Sequence, residues 1–151
     1  MRLRPAATLL PLAFAVANAF AADCRPDPLE GRLLYLRGTL NNWGVEDDAA
    51  LRWACDHWDF TGRINGDFRF KIGDEDWAAD ADFGAAGETS LQPGTPVTLV
   101  PKGTPLQAAL HGMVRLALNP PAAPGGASTL LLTALPPDMP IPPPPASTIT
   151  D

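Results

Sequence analysis

Two tryptophans sit where core packing does not call for them. Trp43 follows Asn41-Asn42 and precedes Gly44, and Trp77 follows Asp74-Glu75-Asp76. Both positions read as polar turns just after a strand, and neither has an apolar neighbour period that would bury an indole. A flat ring exposed beside amides and a cation suits one chemistry well. The apolar C–H face of a pyranose lies on an indole, while its hydroxyl rim needs donors and acceptors. Lys71, expected on the outer face of its strand, and the amides of Asn41 and Asn42 are the polar partners within reach of such a platform. Trp53 reads instead as a structural cover, and Trp58 and Phe60 as core.

Other chemistries find less support. The chain has no Gly-rich phosphate loop, no Gly-x-Ser-x-Gly elbow and no His-Glu-x-x-His pair. Carboxylates are plentiful at Glu46, Asp47, Asp48, Asp74, Glu75, Asp76, Asp80 and Asp82. They fall in predicted turns, as an acidic solvated face also would, so a glycosidase acid/base pair is not the preferred reading and no catalytic residue is assigned. The loop from Asp74 to Asp82 is rich in oxygen ligands, but it lacks the Asp-x-Asp-x-Asp-Gly spacing and distant Glu of a calcium-binding hand. No metal site and no cofactor is expected. The balance of 11 Lys+Arg against 17 Asp+Glu, a net charge of −6, argues against a nucleic-acid partner.

The elements that must hold these residues belong to one small domain, since 151 residues leave no room for a barrel of roughly 250. Thirteen Gly and 18 Pro favour turns and extended segments over helices. Residues 1–21 read as an export signal. Arg2 and Arg4 form a basic start, an apolar run over 6–17 is broken only by Thr8 and Pro11, and Ala19 and Ala21 occupy the small-residue positions before cleavage. The run is too short for a bilayer span of roughly 20 residues. Cleavage after Ala21 predicts a secreted or periplasmic protein with no membrane attachment, carrying 9 basic and 17 acidic residues. In that oxidising compartment Cys24 and Cys55 are expected to form a disulfide, with two buried thiols as the alternative.

Within 22–135 the pattern is of short strands divided by turn signals. Leu34, Leu36 and Leu40 alternate with Tyr35 and Arg37, and Trp58 and Phe60 with His57 and Asp59. Phe68, Phe70 and Ile72 alternate with Arg69 and Lys71 behind an Asn65-Gly66 turn pair. Further runs follow at Val97 and Leu99, at Val114, Leu116 and Leu118, and at Leu130 and Leu132. About six strands and no amphipathic helix predict an all-β, antiparallel β-sandwich in one domain. The stretch 120–126, with three prolines and two glycines, reads as a loop. Residues 136–151 hold seven prolines and read as an extended tail or linker.

The runs that carry the candidate platform also resemble a family. Tyr35-Leu36-Arg37-Gly38-Thr39-Leu40-Asn41-Asn42-Trp43, then Gly66-Asp67-Phe68-Arg69-Phe70-Lys71-Ile72, then Asp76-Trp77 are similar to the early-set, immunoglobulin-like starch- and glycogen-binding modules. Such modules accompany pullulanases and branching enzymes and occur in the β subunit of AMP-activated protein kinase. The motifs cover about 33–83, and the strand count extends the likeness loosely to 135. The resemblance implies an immunoglobulin-like fold and a non-catalytic surface for α-1,4-linked glucan. Trp43 and Trp77 would be the stacking platforms, Lys71 a hydroxyl donor, and Asn41 or Asn42 the shapers of the turn. A glycoside hydrolase is the implied partner. The alternative is a sandwich of the same fold with a structural or protein-interaction role and no sugar binding.

Overall fold

A computed structural model describes residues 24–146, together with Arg2 and Leu3. The export signal assigned to 1–21 therefore lies outside the described residues apart from those two. Seven strands follow in order: β1 (Leu34–Gly38), β2 (Ala50–Trp53), β3 (Trp58–Gly73), β4 (Asp82–Ala85), β5 (Val97–Pro101), β6 (Leu106–Asn119) and β7 (Ser128–Ala134). A single 3₁₀ turn, Asp47–Ala49, precedes β2, and the described residues contain no α-helix. All pairings between named strands are antiparallel, as expected for this all-β class.

Two long strands organise the molecule. Trp58 to Phe70 of β3 pairs without interruption with Leu118 to Leu106 of β6. On its other edge β3 is met by β2 at Trp58 and Asp59 and by β1 from Phe70 to Gly73. From the end of β3 the ladder continues through β4, β5 and β7 and returns to β6. The sheet thus folds over and closes on itself into the two layers of a sandwich. Period-2 geometry sends the even-numbered residues of β3 inward. Trp58, Phe60, Phe70 and Ile72 are buried there against Leu36, Leu99, Leu116 and Leu130. Where β3 carries a small residue, β6 supplies a large one, and the reverse also holds: Gly62 faces Val114, Ile64 faces Gly112, Gly66 faces Leu110 and Phe68 faces Ala108.

Several local expectations change. Asn65-Gly66 is not a hairpin turn, because both residues pair with β6 and β3 runs straight through them. The turn signal yields to thirteen paired positions along one partner, and Asn65 spends its side-chain oxygen on the Gly112 N–H at 2.8 Å. Leu40 lies past the end of β1, in the following turn. Every residue of β1 is buried, so Tyr35 and Arg37 do not face open solvent. β4 was not foreseen, because Asp82-Phe83-Gly84-Ala85 offers too short a run for periodicity to register. The loop at 120–126 does connect two strands, β6 and β7.

At the N-terminal side a disulfide joins Cys24 to Cys55, 31 residues apart. Trp53 closes over this region. Its ring meets Trp58 edge-on at 5.0 Å, and its Nε1–H donates to the Arg25 carbonyl at 2.9 Å.

Candidate functional site

The turn after β1 is built by Asn41. Its Oδ1 accepts from the Gly38 N–H at 3.0 Å and its Nδ2 donates to the Leu36 carbonyl at 2.8 Å. The Trp43 N–H closes the turn on the Gly38 carbonyl at 2.7 Å. Asn42 and Trp43 both take left-handed backbone, with φ of 55° and 62°. Asparagine tolerates that region, whereas for a bulky aromatic it costs on the order of 1–2 kcal/mol. Trp43 is held half-buried and Asn42 is exposed.

A second turn, after β3, is built by Asp74. This carboxylate is 5% exposed. Its Oδ1 accepts from the N–H groups of Asp76 and Ala78, at 3.1 and 2.9 Å, and its Oδ2 takes the Arg32 guanidinium at 3.0 Å. Arg32 also reaches Asp80, and that hydrogen bond, more than the two nearby negative charges, raises its pKa. Trp77 rides on this turn, half-buried and again left-handed, with φ 54°. Its ring lies on the backbone of Gly73, with Cε3 and Cζ3 only 2.5 Å from where a Cβ would stand. Any larger residue at 73 would lift the indole.

Arg37 joins the two turns. Its Nε and Nη2 donate to the Trp43 carbonyl at 3.0 and 2.7 Å, and its Nη1 donates to the carbonyls of Asp74 and Glu75 at 2.8 and 3.1 Å. The guanidinium carbon lies 4.1 Å from the centre of the Trp77 ring, within cation–π range. One residue thus sets both tryptophan-bearing turns on the β1–β3 end of the sandwich. Lys71 sits directly opposite Arg37 across the β1–β3 ladder, with Nζ 5.4 Å from the Trp77 ring. It is largely covered and forms an ion pair with Asp82 of β4 at 2.5 Å. The pair lacks hydrogen-bond geometry, so Asp82 Oδ1 is charge-compensated but not hydrogen-bonded.

The structure brings Trp77, Lys71 and the carbonyl of Trp43 around one arginine. Asn41 lies inside its turn with its amide engaged, and Asn42 stands at the exposed tip. Arg37, Gly73, Asp74 and Asp82 are the residues that sequence reasoning missed. The signal for Arg37 was its position four residues before the turn amide Asn41, in a strand whose partner carries Lys71. In the loop from Asp74 to Asp82, Asp74 and Asp80 engage Arg32, Asp74 also accepts from backbone N–H groups, and Asp82 pairs with Lys71. No cluster of three His, Cys, Asp or Glu that could hold a metal ion occurs among the described residues.

The sequence matches no family model and no curated protein. Among solved structures the chain is similar to the ligand-induced structure of the AmyP starch-binding domain, with a TM-score of 0.52 at 20% sequence identity. The likeness spans 90% of this chain and 95% of that one. At this identity the likeness is one of fold.

Proposed function

We propose that this chain is a non-catalytic module that binds α-1,4-linked glucan through the end of the sandwich carrying Trp43 and Trp77. The observation that carries the reading is the pair of half-exposed tryptophans, each held at φ near +60° on a polar turn and both braced by Arg37. Strained backbone that surrounding contacts over-determine is characteristic of functional sites. The fold likeness to a starch-binding domain supports the same reading, as do the motifs resembling early-set glucan-binding modules. Trp43 and Trp77 stack on sugar faces, and Lys71 with Asn42 meets hydroxyl groups. Asn41 shapes the turn.

Each ring removes on the order of 50–100 Å² of apolar area from water, or roughly 1–2.5 kcal/mol. Less the cost of association, two rings give a Kd in the range of about 10 μM to millimolar. Affinity of that order becomes useful by tethering, as with an enzyme acting on the same polymer. The rest of the proposal follows the sequence. The protein is exported by residues 1–21, the binding domain spans 22–135, residues 136–151 form a proline-rich tail or linker, and the partner is of the glycoside hydrolase kind.

Maltoheptaose titrations of the wild type, Trp43→Ala and Trp77→Ala provide the test. About tenfold weaker binding is expected for each variant, with unchanged thermal unfolding of the sheet. Wild-type affinity in the double variant would move the site elsewhere. No glucan binding by the folded wild type would favour a protein-interaction role for the same face.

A further inference from the structure

The β3 edge facing β1 and β2 is open in its middle. β2 leaves it after Asp59 and β1 joins it at Phe70, with Thr39 bridging to Arg69 at 2.9 Å. That bridge fixes the direction of the ladder: the N–H and C=O of Arg69 point outward, and so, by strand alternation, do those of Thr61, Arg63, Asn65 and Asp67. Among the described residues no strand pairs with these four. An unpaired stretch of this kind is a template for another strand.

The proline-rich segment lies over one end of it. Ile141 to Pro145 form one wall of a groove of about 350 Å³ whose other walls are Phe60 to Ile64 of β3, the Asp47–Ala49 turn, and Ala50 and Arg52 of β2. Arg63 Nη2 donates to the Pro137 carbonyl at 2.8 Å, and Arg52 donates to the Pro143 carbonyl. A turn over Pro136–Met139, closed by the Met139 N–H on the Pro136 carbonyl at 3.1 Å, leads the chain from Arg63 towards Arg52, which pairs with Asp59.

We infer that residues 136–146 are a docked strap, and that the open edge of β3 is a groove selective for a polyproline II segment, occupied by the chain's own tail. The chemistry of the two sides matches. Arg52 and Arg63 supply donors, and a proline run supplies carbonyl acceptors with no N–H of its own. The fixed φ of proline means little ordering entropy is lost on docking. The four prolines at 142–145 have no N–H and cannot propagate the sheet, so they block strand addition at the part of the edge they cover. The strap lies on the β2 side of β3, in a groove that Leu40 of the Trp43 turn also lines, and the inference does not depend on glucan binding.

The test uses the whole chain and backbone NMR relaxation at the non-proline tail amides. Met139 and Ile141 are expected to show heteronuclear NOE values close to those of the sheet, in a protein that sediments as a monomer. In Arg52→Ala/Arg63→Ala the tail values should fall to those of a free chain, with sheet amides unchanged. Replacing residues 142–145 by glycine keeps the carbonyls but removes the preformed helix, and should release the tail as well. A tail already mobile in the wild type, or one still ordered in both variants, would overturn the inference. So would a dimer in which isotope-filtered NOEs place the tail on the neighbouring copy.

Discussion

Arg37 is buried to 9% exposure with its charge spread over three backbone carbonyls and one indole face. Hydrogen bonds from a charged donor contribute about 1.5–3 kcal/mol net. The Asp74 carbonyl it would leave is buried, so a substitution also strands an acceptor. Arg37→Met is therefore expected to lower unfolding free energy by about 2–3 kcal/mol, read as a fall in the urea midpoint at unchanged m. Arg37→Lys should not rescue it, because an ammonium cannot fork between two turns. Both variants should lose glucan affinity, since the two tryptophan-bearing turns would no longer be tied to one side chain. Tyr35, the only tyrosine of the chain, is the second testable residue. Burial, reinforced by the charges of Asp47 and Glu75, pushes its phenol above the ordinary value near 10. A folded pKa raised in this way contributes stability that is fully present below pH 10 and is lost as pH climbs through the raised value. Phenolate absorbance is expected to appear above the pH of free tyrosine and together with loss of the fold. The legible part of the candidate site was its aromatic, amide and amine side chains: Trp43, Trp77, Asn41 and Lys71. What stayed hidden was the bracing, because strand alternation assigns a charged side chain to solvent and cannot foresee that two turns fold back over it.

At the scale of elements, β3 and β6 specify each other through paired sizes. The Phe60 ring lies over Gly62, with its Cζ 2.6 Å from the place a Cβ would take. Gly62→Ala should force that ring out of a closed core, costing about 1–3 kcal/mol. Gly87→Ala, where nothing stands within 4 Å, should be nearly silent in the same denaturation experiment and serves as its control. The inward runs of β5, β6 and β7 were legible because Val97, Leu99, Leu116, Leu118, Leu130 and Leu132 alternate cleanly. The length of β3 was not. Asn65-Gly66 carries the strongest local turn signal in the chain, and only the unbroken register with β6 overrides it. β1 was legible as a strand, but the burial of Tyr35 and Arg37 was not: they are covered by the turns that follow β1 and β3, a tertiary fact with no trace in a five-residue pattern.

Over the whole molecule, the segment before β1 is coupled to the turn that carries Trp77. Cys24 ties it to Cys55, Leu29 enters the core at 3% exposure, and Arg32 grips Asp74, which builds the Trp77 turn. The Arg25 N–H adds a bond to the Cys55 carbonyl at 2.7 Å. Opening the disulfide frees a loop whose ends are 31 residues apart, and the entropy gained by the unfolded chain corresponds to about 3–4 kcal/mol. For a domain of this size the melting temperature of Cys24→Ser/Cys55→Ser should fall on the order of 10–20 °C. Glucan affinity should respond differently. Leu29 and the Arg32–Asp74 pair still hold the segment in the folded state, so well below the new midpoint the maltoheptaose Kd should match that of the oxidised protein. A parallel loss of affinity in the folded, bridge-free variant would mean that the Trp77 turn takes its shape from the disulfide, and Arg32→Ala would then be expected to leave binding untouched.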